Sequence, residues 1–391
     1  MIPDRHSSPD MVLPEPTPDA RAHSDRVAGH IRGEIASRGG WISFARYMEL
    51  ALYAPGLGYY SAGASKLGKA GDFVTAPEIS PLYGQTLARQ VLQIMQAGFD
   101  EVIEVGAGSG ALAATLLEEL ERAGRAPRSY LILELSADLR ERSRDTLAAR
   151  VPHLLERVAW LNRLPPAFSG VVLGNEVLDA MPVHVVRVNA GKIEEGGVGA
   201  RNDRLDWSWR TASGELLEAA GALGLPEGFR TEIGLAAQGF VRALAGVLEK
   251  GAVLFVDYGF PRKEYYHAQR KDGTLMCHYR HHAHADPFFL PGLQDITSHV
   301  DFTAVAAAAR EGGLGLAGYT SQAQFLVNCG ITEVMSRTPA EDRGRFLPLA
   351  NQANRLISPA EMGELFKAIA FEKGLSAPLS GFSEGDRRQA L

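Results

Sequence analysis

The chain has 391 residues, 46% hydrophobic and 22% charged, which is enough to bury a sizeable core without staples. Its net charge of −6 argues against nucleic acid as the main partner, because such binders carry a basic face. No apolar run is long enough to span a membrane, and two cysteines, Cys277 and Cys329, give no disulfide framework.

Residues 1–22 carry Asp4, Asp10, Glu15 and Asp19 among several prolines. Neither a secretory signal nor a mitochondrial presequence has that make-up. The stretch is therefore expected to be a disordered tail, and the protein cytoplasmic. Residues 24–38 read as a helix capped by Ser24, with Val27, Ile31 and Ile35 on one face. A second helix runs from Ser43 to about Tyr53. A long glycine-rich loop follows, with Gly56, Gly58, Gly63, Gly68 and Gly71. Ser80 and Pro81 then open a helix that reaches about Gln96.

The next segment decides the fold. EVIEV (101–105), SYLILEL (129–135), RVAWL (157–161) and GVVLG (170–174) read as buried strands, with helices over 111–122 and 137–150. Alternation of this kind gives a parallel sheet covered by helices on both faces. VHVVRV (183–188) and LDWSW (205–209) begin an antiparallel meander, and a helix is expected from about Arg230 to Lys250. AVLFVDYG (252–259) returns to the core as a strand. Asp301 caps a helix over 301–311, and the tail beyond Tyr319 is expected to be mainly helical. Ser358, Pro359 and Glu361 there suggest a capping box. The expected organisation is a disordered tail (1–22), a helical and loop region (23–100), an α/β Rossmann-like core (101–182 and 251–320), an inserted meander and helix (183–250) and a helical C-terminal region (321–391).

Glu104-Val105-Gly106-Ala107-Gly108-Ser109-Gly110 lies between a strand and a helix. Glycines let a ligand approach the backbone, and the helix start offers free N–H groups. Dinucleotide binders share such turns. Glu104 tilts the choice toward S-adenosylmethionine, because a carboxylate there suits an ammonium group and repels a pyrophosphate. Glu134 ends the next strand, where a carboxylate can accept from both ribose hydroxyls. Glu104, Gly106, Ala107, Gly108, Gly110, Glu134 and Leu135 form the candidate cofactor set.

Asn175, Glu176 and Asp179 follow the fourth strand, and ligands of open α/β sheets sit at strand carboxyl ends. Carboxylates that grip a guanidinium would aim one nitrogen at a sulfonium methyl. Glu176 and Asp179, with Asn175 beside them, are the candidate catalytic residues. The alternative is that Glu176 caps the next helix and Asp179 is solvated.

Four blocks then become recognisable: GDFVTAPEISPLYGQTLA (71–88), EVGAGSGALA (104–113), GNEVLDAMPVH (174–184), and VDYG (256–259) through GTL (273–275) to PGLQDITSHVDF (291–302). The sequence resembles the MidA-like family of methyltransferases, whose mitochondrial members assist assembly of respiratory complex I. The resemblance spans about residues 25–375. It implies a class I methyltransferase fold, S-adenosylmethionine, and, for the mitochondrial members, symmetric dimethylation of an arginine on a complex I subunit. It also implies that Phe73, Thr75, Pro77, Glu78 and Ser80 form a motif over the cofactor, with Thr75 and Ser80 in the binding set. The expected partner is a protein substrate.

Cys277, His278, His281, His282 and His284 cluster, but tetrahedral zinc sites draw ligands from two separated pairs and no second pair is evident. No metal is expected. Asp257 ends the returning strand, where it either faces the pocket or caps the next turn. Trp207 and Trp209 alternate on a strand and should pack one face. A small-molecule methyltransferase, a non-catalytic assembly factor with a vestigial pocket and a nicotinamide oxidoreductase are the competing functions.

Overall fold

The computed structural model describes residues 13–62 and 75–391. Residues 1–12, Gly63, Gly68, Gly71 and Phe73 lie outside that range.

Seven longer strands build most of the central sheet: β1 (Glu101–Val105), β2 (Ser129–Leu133), β3 (Val158–Leu161), β4 (Phe168–Asn175), β5 (Leu248–Phe260), β6 (Gly315–Ser321) and β7 (Phe366–Lys373). A two-residue strand, Val300–Asp301, pairs with the end of β5. Their spatial order is β3-β2-β1-β4-β5-β7-β6. The first five are mutually parallel, and β7 pairs antiparallel with both β5 and β6. This is the class I methyltransferase sheet that the resemblance implies. The strand order reverses between β1 and β4, so a crevice opens above their carboxyl ends.

Alternate residues of β1 and β4 feed two cores, as the period of a strand requires. Val102, Val171 and Leu173 face the Pro81–Gln96 helix through Leu87 and Val91. Ile103, Val105 and Val172 face Val241, Leu244 and Val305 on the other side. Glu104 therefore shares a face with Val102, although it is 2% exposed.

The meander is a second sheet, of His184–Asn189, Lys192–Arg201 and Arg204–Thr211, extended by Arg230–Ile233 and Ile42–Ser43. It packs on the N-terminal helices through Val27, Ile31, Phe44 and Tyr47. Trp207 stacks on Phe44 at 4.8 Å and on Trp209 at 5.8 Å, as expected of a packed face.

Several sequence expectations need correction. The first helix is Pro18–Ser37, not 24–38. Thr17 caps it by accepting from the Ala20 N–H, Pro18 opens it, and Ser24 is buried inside it. The tail expected to be disordered through residue 22 is thus ordered helix from residue 18 onward. Arg230–Ile233 is a strand paired with His184–Arg187, and the helix begins only at Leu235, after Gly234. A helix at Gly214–Gly221 was not anticipated. The C-terminal region contributes β6 and β7 to the central sheet as well as the Arg343–Ile357 helix. Ser358 ends that helix instead of starting one, so the expected capping box does not form. Among the described residues no helix is long and apolar enough to cross a membrane.

Candidate active site

A cavity of about 600 Å³ occupies the crevice above β1 and β4, within the range of small-molecule sites. Among the described residues its wall carries five carboxylates, Glu49, Glu78, Glu104, Glu134 and Glu176, against one guanidinium, Arg163. A pocket so lined favours cations.

The glycine loop forms the floor. Gly106 and Gly108 have φ of +65° and +55°, and both line the cavity with Ala107. Backbone without side chains here leaves room for a ligand to lie on the loop. Gly110 is different. It lies off the cavity with φ +81°, and a β-carbon on it would stand 2.9 Å from Ser143 Cα. Its role is to let the Ala111–Arg122 and Ala137–Arg150 helices pack closely. Gly110→Ala is expected to destabilise the fold by about 2–4 kcal/mol, from left-handed strain plus overpacking. Urea unfolding measures this, and a loss below about 1 kcal/mol contradicts the packing role.

Among the described residues Glu104 has no cationic partner. Burial pushes its carboxyl up to about 7, Tyr130 opposes this by donating its hydroxyl, and Glu134 adds to it. Glu134 is also raised by burial, while backbone N–H groups hold it; Ser136 N–H donates to its Oε1 at 2.9 Å. Beside it Leu135 is 72% exposed, an apolar side chain at the cavity edge with little protein over it. An unpaired buried acid, a held carboxylate at the next strand end and a bare apolar edge fit the ammonium, ribose and base of S-adenosylmethionine.

The loop after β4 supplies the opposite wall. Asn175 Oδ1 accepts from Tyr83 Oη at 2.5 Å, and its Nδ2 donates to Glu176 Oε1 at 3.1 Å. The Ala76 N–H also donates to Glu176 Oε1, at 3.3 Å. Glu176 is half-buried on the cavity wall, where surrounding protein replaces much of its water. That desolvation, reinforced by the Asp179 charge, pushes its carboxyl up to about 8.

The structure brings Glu104, Gly106, Ala107, Gly108, Glu134, Leu135, Thr75, Asn175 and Glu176 onto one cavity. Three expected site residues lie elsewhere. Ser80 caps its helix through the Leu82 N–H and donates to Gln352. Gly110 packs helices. Asp179 is buried behind the loop, where Tyr258 donates to it, burial raises its carboxyl to about 6, and Oδ1 has no partner among the described residues. It is neither solvated nor part of the cavity wall. Asp257 caps instead of facing the pocket: its Oδ2 accepts from the N–H groups of Val177, Leu178 and Asp179.

Sequence reasoning missed Tyr53 and Tyr60, which stack at 5.4 Å on the cavity wall. Tyr53 donates to the Ala180 carbonyl at 2.8 Å and Tyr60 to Asp295 Oδ1 at 2.8 Å. It also missed Asn162 and Arg163, although their place just past β3 was a signal. The histidine cluster forms a hairpin, Met276–Tyr279 with His282–His284, away from the cavity. Among the described residues no three His, Cys, Asp or Glu side chains are grouped to hold a metal.

A family profile described as S-adenosyl-L-methionine-dependent methyltransferase matches residues 86–320. The mitochondrial protein arginine methyltransferase NDUFAF7 homolog of Drosophila melanogaster is 28% identical, over 96% of this chain and 94% of its own. The mouse protein arginine methyltransferase NDUFAF7 is 30% identical, over 87% of this chain and 83% of its own. A Burkholderia thailandensis crystal structure with S-adenosyl-homocysteine bound is 52% identical, with a TM-score of 0.94, over 97% of this chain and all of that one.

Proposed function

Since the chain belongs to the MidA-like family of S-adenosyl-L-methionine-dependent methyltransferases, we propose that it methylates ω-nitrogens of an arginine on another protein. The observation that carries this is the cavity wall, where among the described residues five carboxylates stand against one guanidinium. One set suits a cationic donor, and Glu176, across from it, suits a cationic acceptor. The Drosophila and mouse relatives are named protein arginine methyltransferases, which supports the same acceptor. Symmetric dimethylation of a respiratory complex I subunit is the form of the reaction that the family resemblance implies, and it is the form we propose.

Glu104 holds the donor's ammonium, Glu134 its ribose hydroxyls and Leu135 its base. Gly106, Ala107 and Gly108 give the close backbone floor, and Thr75 lies over it. When bound, S-adenosylmethionine supplies a sulfonium methyl, whose C–S bond breaks onto sulfur as a nitrogen lone pair takes the carbon. Glu176 accepts N–H bonds from the guanidinium, which fixes one nitrogen in line and stabilises the charge that stays on the group. Asn175 and Ala76 hold the carboxylate in place for this. The nitrogen's surplus proton can pass to Glu176, whose elevated affinity for protons suits that task.

The gripping form of Glu176 is ionised, and burial makes that the minor form below about 8 in the empty cavity. Arginine keeps its charge throughout. Transfer at saturating donor is therefore expected to rise as pH climbs toward 8, with a midpoint at or below that value because the bound guanidinium favours the carboxylate. A profile that falls over this range contradicts the assignment.

The reading is tested with labelled S-adenosylmethionine and an extract of cells that lack this gene. After acid hydrolysis of the protein fraction, label should run with symmetric dimethylarginine. Label confined to small molecules would establish the small-molecule alternative instead.

A further inference from the structure

Asp257 is 1% exposed and stands near the end of β5, beside the point where β4 becomes the Asn175–Asp179 loop. Its Oδ2 accepts from three consecutive backbone N–H groups, Val177 at 3.0 Å, Leu178 at 2.8 Å and Asp179 at 3.4 Å. The preceding amide, that of Glu176, donates to the Val256 carbonyl at 2.8 Å. Four successive amides are thus bound by two adjacent residues of β5. Glu176, where the chain passes from the Val256 carbonyl to the Asp257 carboxyl, has φ +53°, a conformation that a β-carbon disfavours. Strain of this kind persists only where its surroundings impose it.

We infer that Asp257 is a positioning residue for methyl transfer. Its carboxyl group draws the loop into a turn that holds Glu176 left-handed and directs that side chain into the cavity, onto Asn175 Nδ2 and the Ala76 N–H. Asp257 itself lies off the cavity wall. The inference rests on the reading that Glu176 grips the acceptor.

Two measurements on the full chain test it. In Asp257→Asn, the affinity for S-adenosylhomocysteine by calorimetry should stay within about threefold of the parent. Label transfer to the extract protein at saturating donor should fall by about tenfold or more, and the same replacement added to Glu176→Gln should cost little further. Undiminished transfer in Asp257→Asn, or losses that simply multiply, would overturn the proposal. Undiminished transfer in Glu176→Gln would instead remove the reading of the cavity.

The second measurement needs no acceptor. Glu176→Gly should melt higher than Glu176→Ala, because the clamp holds position 176 left-handed whatever its side chain. The gap should close once Asp257 is replaced by Asn. If Gly and Ala melt alike in the parent background, the clamp is refuted, and that comparison stands even if Asp257→Asn is too unstable to assay.

Discussion

Glu176→Gln is expected to cut methyl transfer by about 10²–10⁴-fold while leaving donor affinity unchanged. The amide is isosteric, and its oxygen can keep both bonds that Glu176 Oε1 accepts, from Asn175 and Ala76. What disappears is the charge and the second acceptor, and an amide NH₂ would then face the N–H groups of the guanidinium. Leaving one member of a water-excluded charge pair without its partner costs roughly 3–5 kcal/mol, and each 1.4 kcal/mol is a factor of about ten in rate. Donor binding is spared because Glu104 and Glu134 act at other strand ends. Label transfer and calorimetry on the same preparation give both numbers. Transfer within about tenfold of the parent would remove Glu176 from the chemistry.

Glu104→Gln is expected to do two opposite things, weakening donor binding and stabilising the ligand-free protein at alkaline pH. The folded carboxyl sits at about 7, above its ordinary 4.5, so the folded state holds the proton more tightly than the unfolded chain. Stability from this group is fully present below about 4.5 and is lost as pH rises through about 7. At pH 8 the empty protein carries a buried charge that costs about 3 kcal/mol. Glutamine removes that charge, and its oxygen can still accept from Tyr130. The variant should therefore be more stable than the parent near pH 8 and nearly equal near pH 5, as calorimetric melting at the two pH values will report. Its affinity for S-adenosylmethionine should fall by about 10–100-fold, the worth of one buried charge-assisted contact. No gain in stability near pH 8 would mean that Glu104 is not an uncompensated acid.

The parts of this molecule that were legible in its sequence are those whose environment is uniform along the chain. β1, β2 and β4 are buried on both faces and read as apolar runs, and the caps at Ser43, Ser80 and Asp301 follow from side-chain chemistry confined to a few residues. Arg230–Ile233 was not legible because pairing with His184–Arg187, over forty residues away, makes it a strand. β7 is set by its contact with β5, more than a hundred residues earlier. The site divides the same way. Glu104, Glu134 and Glu176 stand at or just past strand ends, a position that sequence reveals. Tyr53 and Tyr60 reach the cavity only because the N-terminal region folds over it. Asp179 and Asp257 were ambiguous because the carboxyl end of a strand serves both ligands and loops. Asp257 took the loop amides, and Asp179 was left behind them with Tyr258.

The central claim is that one acidic cavity holds two cations, the donor on Glu104 and an arginine on Glu176. A crystal of the protein soaked with S-adenosylhomocysteine and N-acetyl-L-arginine amide tests it most directly. The account predicts the homocysteine ammonium on Glu104 and the guanidinium within hydrogen-bond reach of Glu176, with one nitrogen facing the sulfur. A homocysteine ammonium seated on Glu176, with the guanidinium bound elsewhere, would contradict it.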